Sequence, residues 1–196
     1  MPTSHSPANP NARPYSSEMG KPVMAFCALG AAAGLAGTQG LDIAIGAAPG
    51  PGLYMIPAGV WFALVVALAV WKLGHASPSA AAFVILSTFI AWESSVNLAL
   101  ILIAPWLKGG PSDLVYGMVG MAAGAVGAVV TWAGAAWAAV ALRRVSTALL
   151  TVAAGTLLGA LLAATNSFDS PALLFIPWEA VVAASLAFGL VRPPTV

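Results

Sequence analysis

The chain has 196 residues, of which 60% are hydrophobic and 7% are charged, whereas soluble domains carry about 25% charged residues. So little charge cannot keep a globule of this length in water, and the sequence therefore predicts that lipid is the solvent for most of the chain. The net charge of +1, without a run of basic residues, argues against a nucleic-acid partner.

Apolar runs long enough to cross a bilayer dominate the chain, since a spanning helix needs about 20 mostly apolar residues. Six runs qualify, at residues 22–41, 53–73, 79–106, 114–142, 145–164 and 171–191. The predicted fold is an all-α integral membrane protein, a compact bundle of six transmembrane helices over residues 22–191. Residues 1–21, rich in Pro, Ser and Asn, are predicted to be a disordered tail, and residues 192–196 a short C-terminus.

Lysine and arginine in the short loops predict the orientation. With six spans, six of the seven basic residues fall on one side, and Lys108 alone falls on the other. The six are Arg13, Lys21, Lys72, Arg143, Arg144 and Arg192. Because cytoplasmic loops carry the excess of positive charge, we expect both termini to be cytoplasmic, in a bacterial-type inner membrane.

Two glutamates lie inside apolar runs, each in a similar motif. Phe-Ile-Ala-Trp-Glu occupies residues 89–93 of the third run, and Phe-Ile-Pro-Trp-Glu occupies residues 175–179 of the sixth. A carboxyl group at membrane depth is costly, so it is a functional-site hypothesis by default. Residue 97 lies one turn after the first glutamate, on the same helix face. The predicted transport or proton-carrying residues are Glu93, Asn97 and Glu179, with Trp92 and Trp178 as pocket walls.

Each glutamate has an alternative interpretation. The alternative for Glu93 is a neutral acid that holds a neighbouring helix through a hydrogen bond. Glu179 lies nearer to the outer end of its run, so we expect it to reach outer water more easily than Glu93, and its alternative is an interfacial carboxylate with no task.

The spacing of the two motifs suggests an internal repeat. It maps the third run onto the sixth, which predicts a 3+3 inverted repeat of the kind used by many transporters. The first and fourth runs also share one glycine spacing, a pattern typical of close helix packing; the glycines are Gly30, Gly34, Gly37, Gly120, Gly124 and Gly127. Ala128 is expected at a less constrained position. A rival match, residues 53–57 with 173–177, suggests a repeated two-helix hairpin instead.

Few residues are suited to metal binding or catalysis. Cys27 is the only cysteine, so an intramolecular disulfide and a cysteine-rich metal site are excluded. His5 lies in the polar tail and His75 in a short loop, which excludes paired-histidine haem ligation inside the membrane. We expect no metal and no cofactor. Sequence motifs of hydrolases, zinc proteases and phosphate-binding loops are absent, so no enzyme is predicted.

The sequence favours two functions, and a third, a membrane enzyme, is the least supported. The first is a small-solute or ion transporter or channel that uses Glu93 and Glu179. The alternative is a non-transporting membrane subunit or assembly factor that packs through its glycine-rich helix faces. The expected partners are the lipid bilayer, a small solute or cation, and either further copies of the chain or a larger membrane complex.

Overall fold

The computed structural model describes residues 15–40, 45–46 and 52–193. Within these ranges the helices are α1 (Tyr15–Gly37), α2 (Ile56–Leu73), α3 (Pro78–Ile103), α4 (Asp113–Ala138), α5 (Val145–Gly159), α6 (Leu162–Phe168) and α7 (Ala172–Val191). Short 3-10 turns follow α1, α3 and α4, at Thr38–Gly40, Ala104–Trp106 and Val140–Arg143. Two short antiparallel strands, β1 (Ile45–Gly46) and β2 (Gly52–Leu53), precede α2 and pair with Ile45 opposite Leu53.

These helices form six spans that are long and apolar enough to cross a membrane. The fifth span combines α5 and α6, and each of the others is built on one helix. The predicted all-α bundle of six membrane helices is therefore confirmed. Large apolar side chains remain exposed on the outer helix faces, including Trp61, Leu86, Leu149 and Leu157. An exterior of this kind indicates contact with a lipid bilayer.

Several predicted boundaries differ from the observed ones. Helix α1 begins at Tyr15, inside the segment predicted to be tail, whereas residues 1–14 and 194–196 lie outside the described residues. Helix α4 ends at Ala138, earlier than predicted, because Arg143 folds back and its guanidinium donates to the Ala136 and Trp137 carbonyls. Those carbonyls have no partner within the helix, and a basic side chain satisfies them.

The fifth span was predicted as one run over residues 145–164, but it is broken and extends further. Helix α5 ends at Gly159, and α6 begins at Leu162 and continues to Phe168. The intervening Leu161 N–H donates to the Leu158 carbonyl at 3.0 Å, a tighter turn than an α-helix. Apolar residues on both sides of the break hide it from any hydropathy pattern.

Helix α7 is the centre of the bundle. It is the most enclosed span, with 61% of its apolar stretch buried in the protein, compared with 22% for α1. It packs against α1, α2, α5 and α6, and its inward side chains join those of α2 in the main core, as Val182 and Leu186 do with Phe62 and Val66. The second glutamate motif therefore lies in the best-shielded helix of the protein.

Helix packing agrees with the inverted repeat only in part. Helices α1–α2, α2–α3 and α3–α4 pack together, and so do their counterparts α4–α5, α5–α7 and α7–α1. A simple closed ring of sequential helices has the same neighbours without a repeat. The matched glycines, however, meet different partners: Gly34 lies against α7, whereas Gly124 lies against α5 rather than α3. The inverted repeat stays a prediction, as does the repeated hairpin.

Candidate functional site

Side chains of α3 hold the extended segment that leads into α2. The Tyr54 N–H donates to Glu93 Oε2 at 2.8 Å, and Trp92 Nε1 donates to the Tyr54 carbonyl at 3.3 Å. Asn97 completes the set at Gly52. Its Nδ2 donates to the Gly52 carbonyl at 2.8 Å, and its Oδ1 accepts the Gly52 N–H at 3.1 Å. We call Trp92, Glu93 and Asn97 together the α3 clamp.

The α3 clamp takes the place of a neighbouring strand. In an extended strand, alternate residues direct their N–H and C=O groups to opposite edges. Residues 52 and 54 therefore direct their backbone N–H and C=O groups to α3, while Leu53 pairs with β1 on the other edge. Asn97 Nδ2 also donates to the carbonyl of Glu93, one turn back, at 2.8 Å, which fixes the orientation of the amide. The backbone of this segment is thus satisfied at both edges, as burial in a membrane protein requires.

Glu93 borders a shallow groove beside the clamp. The groove has a volume of about 390 Å³ and is also lined by Ser94, Asn97, Phe89 and Leu53. Glu93 Oε1 is buried and has no hydrogen-bond partner among the described residues. One carboxyl oxygen is therefore committed to the Tyr54 backbone, in line with the alternative of a structural hydrogen bond, and the other remains unused.

Glu179 is fully enclosed in the centre of the bundle. Its exposed fraction is 0%, compared with 7% for Glu93, so the expectation that Glu179 reaches water more easily is wrong. Helix α1 crosses α7 closely at this level, where Gly30 rests on the backbone of Glu179 and Ala180. Neither carboxyl oxygen of Glu179 has a hydrogen-bond partner in the part of the chain that the structure describes.

The two tryptophans of the motifs line one cavity. It has a volume of about 240 Å³ and lies between α3, α4, α6 and α7, with Met55 closing one side. The rings of Trp92 and Phe175 meet edge to face, with centroids 5.0 Å apart. Trp178 Nε1 donates to the Gly155 carbonyl on α5 at 3.0 Å. Neither glutamate lines this cavity.

The structure therefore separates the predicted site residues into three groups. Asn97 and Glu93 hold the extended segment, Trp92 and Trp178 wall the cavity, and Glu179 lies apart in the core. Only Trp92 belongs to two groups, because its indole nitrogen is in the clamp and its ring is in the cavity wall.

The glycines predicted to pack helices all lie against helices of the same chain. A Cβ atom on Gly34 would lie 2.8 Å from the Phe175 carbonyl carbon, and one on Gly37 would lie 2.7 Å from the Ala58 Cα. Real Cβ atoms essentially never show contacts under 3.0 Å, so these positions exclude any side chain. Gly30 meets the α7 backbone, Gly120 and Gly124 meet the glycines of α5, and Gly127 meets Ser95 of α3.

Sequence reasoning missed the partners of the clamp. Gly52 and Tyr54 were given no role from the sequence, and no local pattern links them to side chains about forty residues later. Met55 was also missed; it lies in the left-handed region with φ of 53° immediately before α2, and it reaches the cavity wall. The Gly- and Pro-rich sequence before α2 is the one signal that the chain turns here.

Comparisons with protein-family models, with curated proteins and with solved structures find no match to this chain. The described residues also contain no group of three or more His, Cys, Asp or Glu side chains that could hold a metal ion.

Proposed function

We propose that this membrane protein is a small-solute transporter whose transport is coupled to a proton carried by Glu179. The observation that carries the proposal is the enclosure of this carboxyl group without a hydrogen-bond partner among the described residues. A charged carboxylate at the centre of a membrane span costs about 3 kcal/mol on insertion scales. Glu179 makes no side-chain hydrogen bond among the described residues that would offset this cost. Reversible protonation explains why a glutamate occupies this position.

The chemistry required of Glu179 is simple. In the closed arrangement the carboxyl group is neutral, because no cation or donor among the described residues compensates a negative charge there. When water reaches it from one side, it releases its proton, and a rearrangement that exposes it to the other side lets it take one up again. Gly30 and Gly34 give α1 a smooth face against α7, along which a small sliding motion exposes the acid.

The α3 clamp supplies a gate on the outer side in this proposal. The segment that it holds continues directly into Met55, which forms part of the cavity wall. Release of Gly52 and Tyr54 from Asn97 and Glu93 moves Met55 and opens the cavity. In this proposal Glu93 acts by holding the segment in position through its Oε2. Its unused Oε1 lies beside the gate.

The alternative of a non-transporting subunit has less support. It relies on glycine-rich helix faces as docking surfaces for another protein. The six glycines that were assigned to those faces contact α2, α3, α5 or α7 of the same chain. These six glycines are therefore engaged within the chain and are not available to a partner.

A proton-flux assay tests the proposal. Purified protein is reconstituted in liposomes that contain a pH-sensitive dye, a pH gradient is imposed, and a panel of small uncharged solutes is added one at a time. We expect at least one solute to accelerate proton movement in the wild type and in Asp169→Asn, which makes the same chemical change in the exposed turn after α6. Glu179→Gln should abolish the effect. A Glu179→Gln protein that still couples solute to proton movement contradicts the proposal.

A further inference from the structure

The cavity between α3, α4, α6 and α7 has the features of a ligand site. Its walls are formed by side chains from four helices, including the aromatic rings of Trp92, Tyr116, Phe175 and Trp178. The volume of the cavity is about 240 Å³. For comparison, a cavity of about 150 Å³ already binds benzene. The volume therefore suits a molecule of one or two rings.

The polar groups on these walls are largely committed to the protein. Trp92 Nε1 donates to the Tyr54 carbonyl, Trp178 Nε1 donates to the Gly155 carbonyl, and Ser95 Oγ donates to the Ala123 carbonyl at 2.6 Å. Thr165 Oγ1 is buried without a partner among the described residues. Both intramembrane glutamates lie outside the cavity wall. A charged ligand would find no counter-ion there, and its desolvation would stay uncompensated.

We infer that this cavity binds a small, uncharged, aromatic molecule, held by the faces and edges of the two motif tryptophans. Aromatic rings prefer offset or edge-to-face neighbours, and Trp92 and Phe175 already show an edge-to-face pair with an interplanar angle of 61°. That this molecule is the substrate of the transport described above rests on the proposed function. Binding to the cavity does not itself require transport.

Toluene and benzylammonium are the probes, because they have similar shape and differ in charge. The full-length protein is labelled with 5-fluorotryptophan and placed in lipid nanodiscs, and the fluorine resonances of Trp92 and Trp178 are assigned by single Trp→Phe variants. We expect toluene to shift both resonances in a saturable way. The resonance of Trp61, which is 49% exposed on the outer face, should drift without saturation. Benzylammonium at equal concentration should shift neither cavity resonance.

Neighbouring alanines on α4 provide a matched pair of variants. Ala123 lines the cavity and Ala122 is exposed on the outer surface of the same helix. Ala123→Phe should abolish the saturable shift, and Ala122→Phe should leave it unchanged. If Ala123→Phe does not fold, Ala99→Phe fills the same cavity from α3 and should have the same effect.

The outcomes separate the two proposals. Unresponsive Trp92 and Trp178 resonances, as expected if a lipid chain fills the cavity, overturn the ligand site, and so does a shift that survives both filling variants. Equal responses to toluene and benzylammonium overturn the assignment of an uncharged ligand. Saturable toluene binding without solute-driven proton movement retains the ligand site and rejects transport. Proton-coupled transport with unresponsive Trp92 and Trp178 resonances retains transport and rejects the ligand site.

Discussion

Glu93 and Glu179 occupy the same position in nearly identical motifs, but their surroundings differ. Glu93 accepts a backbone N–H from the segment before α2, whereas Glu179 has no hydrogen-bond partner in the described ranges. Sequence reasoning identified both residues, because a carboxyl group in an apolar run stands out locally. It ranked their access to water in the wrong order, because burial depends on elements distant in the sequence that pack against each motif, such as the extended segment at α3 and helix α1 at α7.

Replacing each glutamate by leucine separates the two roles. Glu93→Leu removes the buried hydrogen bond from the Tyr54 N–H to Glu93 Oε2, so we expect a loss of about 1–3 kcal/mol in the free energy of unfolding. Glu179→Leu removes a polar group that has no hydrogen-bond partner to lose among the described residues, so stability should be unchanged or higher. Thermal unfolding of the purified variants in detergent measures both. A Glu179→Leu protein that is less stable than Glu93→Leu shows that Glu179 has a structural task.

Glu93→Gln tests the clamp role of Glu93 against a proton-carrying role. The amide oxygen of glutamine can accept the Tyr54 N–H as Glu93 Oε2 does, but the side chain cannot change its charge. We expect nearly normal stability and intact solute-coupled proton movement in the liposome assay. If Glu93→Gln folds normally and loses the coupling, Glu93 itself carries the proton.

At the scale of elements, the α3 clamp holds the extended segment before α2 through hydrogen bonds to Gly52 and Tyr54. Asn97→Leu removes both hydrogen bonds to Gly52, so we expect faster hydrogen exchange of the backbone amides at residues 52–54. Ser94→Ala is the control, since Ser94 lines the same groove but makes no bond in the clamp. Exchange is followed by mass spectrometry of peptides from this segment. Equal exchange in Asn97→Leu and Ser94→Ala would show that β1 pairing alone holds the segment.

The contact between α4 and α5 depends on glycine. Gly124 lies against the backbone of Gly155 and Gly159, so Gly124→Leu should lower the free energy of unfolding by about 1–3 kcal/mol or more through overpacking. Ala128 was expected to be a tolerant control, which is wrong, because it is fully buried and meets Gly155. Ala122→Leu, on the exposed face of the same helix, is the appropriate control. Similar melting temperatures for Gly124→Leu and Ala122→Leu would reject this contact.

The helical type of the elements and the number of membrane-length spans could be predicted, because apolar length is a local property of the sequence. Element ends were harder, since Arg143 ends α4 by bonding back to Ala136 and Trp137, and the break between α5 and α6 lies among apolar residues. The hydrogen-bond partners of the clamp could not be predicted. Its hydrogen bonds join Gly52 and Tyr54 to α3 across a whole intervening helix, and no periodic pattern specifies such a pairing.

At the scale of the whole molecule, six spans place residues 15 and 193 on the same side of the membrane if every span crosses. The distribution of lysine and arginine predicts that this side is the cytoplasm. Reporter fusions after Lys72 and after Arg144 should therefore read cytoplasmic, and a fusion after Lys108 should read external. An external signal at Arg144 would contradict the topology, because the orientation of the two later spans depends on it.

The bundle also explains how one carboxyl group can be isolated in so small a protein. Helix α7 contacts α1, α2, α5 and α6, so a side chain on its inner faces is shielded by protein rather than by lipid. The proposed transport requires that one of these contacts opens, so that water reaches Glu179 from one side at a time.

Infrared spectroscopy of Glu179 tests the central claim most directly. The carbonyl stretch of its protonated carboxyl group is identified in the wild type by its absence from Glu179→Gln, in nanodiscs and at low pH. We expect this band to disappear reversibly as the pH is raised, because a proton carrier must release its proton when water reaches it. We also expect the pH at which it disappears to change when a transported solute is present. A Glu179 band that persists unchanged through the pH titration, with and without solute, contradicts a proton-carrying role.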